Sequence, residues 1–67
     1  MARINHVAFE GVQQRALSRH LRANGCKVTA AGTDNLLTVR SDKSPEQLVQ
    51  LAHQLPGCHA FIAQTTR

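Results

Sequence analysis

The chain has 67 residues, eight lysines and arginines against four acids for a formal net charge of +4, two cysteines, and two aromatic residues, both phenylalanine. A chain this short forms one domain at most, buries only about 60% of the surface its unfolded form exposes, and has little room for a substrate pocket of several hundred cubic ångströms. No apolar run approaches the roughly 18 residues of a membrane-spanning helix, the first residues lack the apolar stretch of a signal peptide, and the expected location is cytoplasmic.

Residues 3–9 alternate as a strand, with Asn5, Val7 and Phe9 on one face and Ile4, His6 and Ala8 on the other. Glu10-Gly11 breaks the run, and residues 12–24 follow with helical spacing. Val12, Ala16, Leu17, His20 and Leu21 share one arc, expected to face the core, while Arg15, Ser18, Arg19 and Arg22 share the opposite one. Asn24-Gly25 supplies the stop, since glycine takes the left-handed conformation that ends helices.

Two strand-like segments, 26–31 and 35–41, flank the turn formers Gly32-Thr33-Asp34-Asn35 and predict a hairpin. Alternation turns Cys26, Val28, Ala30, Leu37 and Val39 inward and Lys27, Thr29, Ala31, Leu36, Thr38 and Arg40 outward. Ser44-Pro45-Glu46-Gln47 is a helix start: the Ser44 hydroxyl caps free amides, Pro45 tolerates the first helical position, and Gln47 completes a capping box. The helix over 45–55 buries Leu48, Leu51, Ala52 and Leu55, with Val49 at the border; Pro56-Gly57 ends it. A last strand covers 59–64, and residues 65–67 are expected to fray.

The order strand, helix, strand, strand, helix, strand, with glycine-cysteine at both helix-to-strand junctions (Gly25-Cys26 and Gly57-Cys58), is that of a split βαβ duplication. Right-handed crossovers then predict an α+β, ferredoxin-like domain: an antiparallel four-stranded sheet in the order 4-1-3-2, with both helices on one face. Cys26 and Cys58 fall on opposite sheet edges, too far apart for a disulfide, so two free thiols are expected. Heavy-metal chaperone domains share this architecture and carry paired cysteines in the first loop. Here that loop, Glu10-Gly11-Val12, has none, so the likeness is one of architecture and no ligands carry over.

The four histidines and two cysteines follow no metal-ligand spacing, and no cofactor or metal is expected. No nucleophile elbow, phosphate loop or Ser/His/Asp set is present, which argues against an enzyme and a small-molecule substrate. His20, on the core-facing arc, is expected to be a partly buried residue bonded to backbone.

Two binding readings remain. The first is a protein-interaction module, either a homodimer or a regulator or inhibitor docking on a larger protein. Its surface is the uncovered sheet face, with Ile4, His6, Ala8, Leu36, Thr38 and Phe61 as a semi-apolar patch rimmed by Lys27 and Arg40, or else an edge strand. The second is electrostatic, weakly sequence-specific nucleic-acid binding through Arg15, Arg19 and Arg22, which recur at i, i+4 and i+7. Stacking of bases on the sheet, as in RNA-recognition motifs, lacks the aromatic residues it needs.

Overall fold

The computed structural model describes residues 2–30, 32, 33 and 35–66; Ala31 and Asp34, placed by the sequence in the hairpin, lie outside them, as does Arg67. The elements run β1 (Arg3–Glu10), α1 (Gln14–Ala23), β2 (Lys27–Ala30), β3 (Leu36–Ser41), α2 (Pro45–Ala52) and β4 (His59–Thr66). The strands form one antiparallel sheet in the order β2-β3-β1-β4, the α+β arrangement expected from the pattern.

Alternation decides which face of the sheet is dry. Val7 and Phe9 of β1, Val28 of β2, Leu37 and Val39 of β3 and Ala60 of β4 are buried in one cluster with Leu17 and Leu21 of α1 and Leu48, Leu51 and Ala52 of α2. Both helices therefore stack on the same side. Burying a leucine such as Leu17 or Leu48 is worth about 1.5–3 kcal/mol relative to leaving it in water, and these two are essentially fully enclosed. The helices are tied to each other as well: His20 Nε2 lies 2.9 Å from the Leu51 carbonyl, and because that oxygen only accepts, Nε2 carries the proton. His20 is thus the backbone-bonded, partly buried residue that its place on the arc implies.

The helix ends follow local chemistry. At the end of α1, Gly25 (φ 86°) takes the left-handed conformation, Cys26 N–H donates to Leu21 O at 3.1 Å and Gly25 N–H to Arg22 O at 3.1 Å, which is a Schellman motif. At the start of α2 the Ser44 hydroxyl accepts from Gln47 N–H (3.2 Å) while Gln47 Oε1 accepts from Ser44 N–H (2.9 Å), the reciprocal capping box.

Several boundaries differ from those the periodicity predicts. Helix α1 starts at Gln14 rather than residue 12, because Gln13 is extended (φ −75°, ψ 148°) and serves as the N-cap. Helix α2 ends at Ala52 rather than residue 55: Gln54 and Leu55 donate back three residues, to Leu51 and Ala52, tightening the chain ahead of Pro56. The second and third strands each start one residue later than predicted, at Lys27 and Leu36. Ala16 and Ala30, expected to face inward, are exposed. Residues 65 and 66 do not fray: they pair with Asn5 and Ile4, and the Thr65 hydroxyl donates a 2.7 Å bond to Asn5 Oδ1.

Candidate interaction surface

The registers arrange the uncovered face in rows. Lys27, Arg40 and Ile4 stand opposite one another at one end; Thr29, Thr38, His6 and Gln64 form the next row; Leu36, Ala8 and Phe61 form the third; Glu10 and His59 close the far end. All eight residues predicted for an interaction patch lie on this one face. Ile4, His6, Ala8, Leu36 and Thr38 are half-buried by their neighbours, and Lys27 and Arg40 are exposed. At the centre His6 Nδ1 meets Thr38 Oγ1 at 3.1 Å, fixing the imidazole across the β1–β3 ladder.

The face is polar in the middle, cationic at one end and apolar toward the other, where Glu10 and His59 border the Leu36, Ala8 and Phe61 row. Phe61, with 63% of its surface in contact with solvent, is the large exposed hydrophobe among the described residues. Beside it lies a hollow of about 370 Å³ lined by Ala8, Phe9, Glu10, Val12, Asn35 and Phe61 itself. Sequence reading places Phe61 on this face but misses the hollow, because its walls come from three separated segments.

The sheet edges are less inviting. Arg22 Nη2 donates to the Val28 carbonyl of edge strand β2 (2.9 Å), occupying one of its acceptors. Edge strand β4 carries an irregularity where its pairing with β1 shifts between His6 and Val7, and such bulges interrupt a ladder that an added strand would extend.

The predicted basic stripe forms one wall of a second depression. Arg15, Arg19 and Arg22, with Gln14 and Ser18, line a groove of about 420 Å³ whose opposite wall is Ala30 at the end of β2.

Cys26 and Cys58 are both free and buried, and burial pushes the Cys58 thiol up from the ordinary range. Among the described residues, no three His, Cys, Asp or Glu side chains gather as a metal site requires, and no helix is long and apolar enough to cross a membrane. Comparison with protein families, curated proteins and solved structures gives no match.

Proposed function

We propose that this chain is a non-enzymatic protein-interaction module whose operative surface is the Phe61 end of the open sheet face, and that its occupant is a second copy of the same chain. The observation that carries this reading is a knob beside a hole: an exposed phenylalanine adjoining a hollow of about 370 Å³ on the same surface. A projection next to a cavity is self-complementary about a two-fold axis passing between them, the commonest symmetry of soluble oligomers. Each Phe61 ring enters the hollow of the other copy, against Ala8 and Val12, and the two rings meet in an offset or edge-to-face pair.

Charge supports the same placement. Lys27 and Arg40 stand at the opposite end of the face from Phe61, so an axis beside Phe61 keeps the two cationic ends apart; the charge it brings near the interface is Glu10 in the wall of the hollow, with His59 as its cross-strand neighbour. A pairing that stacked those ends would set like charges together and cost stability.

Size sets the strength. A four-stranded face about six residues long spans roughly 400 Å² in projection, and an axis beside Phe61 overlaps only part of it, which puts the contact below the lower bound of stable specific interfaces. A reversible dimer with a dissociation constant in roughly the micromolar range is expected. Sedimentation equilibrium from about 5 to 500 µM tests this: the wild-type chain should pass from monomer to dimer, and Phe61→Ser should stay monomeric with an unchanged circular dichroism spectrum. A wild-type monomer throughout that range, or a Phe61→Ser chain that dimerises equally well, would overturn the reading.

A further inference from the structure

The groove between α1 and the edge of β2 has a charge distribution unlike the rest of the molecule. From Gly11 to Thr33 the sequence contains Arg15, Arg19, Arg22 and Lys27 and no aspartate or glutamate; the remaining four basic residues are balanced by the four acids, so the whole net charge of +4 belongs to this one segment. The fold then concentrates most of it. Arg15, Arg19 and Arg22 line the same groove of about 420 Å³, whereas Lys27 belongs to the uncovered sheet face beside Arg40.

The arginines are also placed in sequence along one line. At about 1.5 Å rise per residue, Arg15 to Arg22 spans roughly 10 Å of helix axis, a length over which a polynucleotide presents successive phosphates. Arg22 is held by its 2.9 Å bond to the Val28 carbonyl, which uses one of the five N–H donors of a guanidinium. A planar donor group anchored at one corner loses little further freedom when it takes a phosphate. Gln14, at the mouth of the groove, donates its amide to the Thr33 carbonyl at 3.2 Å, bracing the first turn of α1 against the hairpin.

We propose that this groove binds the phosphate backbone of nucleic acid, with Arg15, Arg19 and Arg22 each neutralising one phosphate. Among the described residues, the groove is lined by no aromatic side chain on which a base could stack and by no carboxylate, so recognition is of the backbone and is weakly dependent on sequence. The site lies away from Phe61, on the edge formed by β2, whereas Phe61 belongs to β4 at the opposite edge. Its occupancy is therefore independent of dimerisation through the open face.

The test is fluorescence anisotropy with labelled 20-nucleotide mixed-sequence DNA, single-stranded and duplex in separate arms, at about 50 and 200 mM salt. Three phosphate contacts predict that affinity for duplex falls about 40-fold across that range and affinity for the single strand about 20-fold; the arm with the tighter binding identifies the preferred form. Arg15→Gln/Arg19→Gln, which spares the Arg22 anchor, should reduce the duplex fall to about 3-fold, as expected for one remaining contact. A charge-matched control, Arg3→Gln/Lys43→Gln, removes two charges that do not line the groove, one exposed on β1 and one half-buried before α2, and should leave affinity within about 2-fold, since charges outside the contact are screened. The proposal is overturned if the control weakens binding as much as the groove variant, if the groove variant keeps the wild-type salt dependence, if neither DNA arm binds, or if polyglutamate competes as well as DNA.

Discussion

Gly11 and Gly57 stand against each other where the loop after β1 meets the loop before β4, and a β-carbon built on Gly11 would run into the Gly57 carbonyl oxygen. Both have positive φ, 90° and 81°, so the crossing of the two loops requires a backbone conformation and a proximity that other residues do not supply together. The neighbouring hollow depends on this crossing, because Glu10 and Val12, on either side of Gly11, form part of its wall.

Gly11→Ala should therefore be far more damaging than Gly25→Ala. The Gly25 substitution meets no atom within 4 Å and carries only the left-handed penalty, about 1–2 kcal/mol. At Gly11 a collision with backbone is added, typically a further 1–3 kcal/mol or more. Urea unfolding of the two variants should show Gly11→Ala losing about 1–3 kcal/mol more stability than Gly25→Ala; equal losses would mean that the loops separate freely.

A second expectation concerns Asn5, which is fully buried in β1 with its Nδ2 unpartnered among the described residues. Its Oδ1 accepts from Thr65, and exchanging the amide's nitrogen and oxygen would merely transfer the deficit to the oxygen. A buried orphan polar group costs about 1–3 kcal/mol. Asn5→Val should raise the unfolding free energy by about 1 kcal/mol, since Thr65 is an exposed residue whose hydroxyl can turn to water. Thr65→Val in the wild-type background should lower it by a similar amount. A marked loss on Asn5→Val, measured by thermal or urea melts, would show that the amide contributes more than its visible bond.

The helix caps and the two amphipathic stripes were legible because their chemistry is local. Ser44, Pro45 and Gln47 specify a helix start within four residues, and at Gly25 α1 ends with the Gly25 N–H bonded three residues back and the Cys26 N–H five residues back. The strand order followed from connectivity. What the periodicity could not convey depends on distant partners: β4 continues to Thr66 because Asn5, sixty positions before Thr65, waits inside the sheet for a donor. Ala30 looks inward by alternation yet borders the arginine groove, because the edge strand extends beyond the apolar cover of α1. Likewise Phe61 reads as one outward aromatic residue; only the β1–β4 pairing sets it beside Ala8.

The capping box offers a calibrated check on α2. Ser44→Ala removes the acceptor for Gln47 N–H and should cost about 1 kcal/mol, lowering the melting temperature by roughly 4–8 °C for a domain of this size. Calorimetry showing no shift would mean that packing of Leu48 and Leu51 alone holds the first turn.

The Cys58 thiol makes an alkaline prediction. Cys58 is buried and its pKa is raised by desolvation, so the native chain holds that proton longer than the unfolded chain. The stability tied to it is complete below the unfolded thiol value, roughly pH 8.5, and is lost as pH rises above it. Urea midpoints of the wild-type chain and Cys58→Ala should therefore converge between about pH 7 and pH 10. A constant difference would contradict the burial of an ionisable thiol.

The claim on which the functional reading rests is that Phe61 of one copy enters the hollow of another, and isotope-filtered NMR observes this contact directly. In an equimolar mixture of ¹³C-labelled and unlabelled chains at about 1 mM total concentration, well above a micromolar dissociation constant, intermolecular NOEs are expected from the Phe61 ring to the methyl groups of Ala8 and Val12. A spectrum whose Phe61 contacts are all intramolecular at that concentration would contradict the claim.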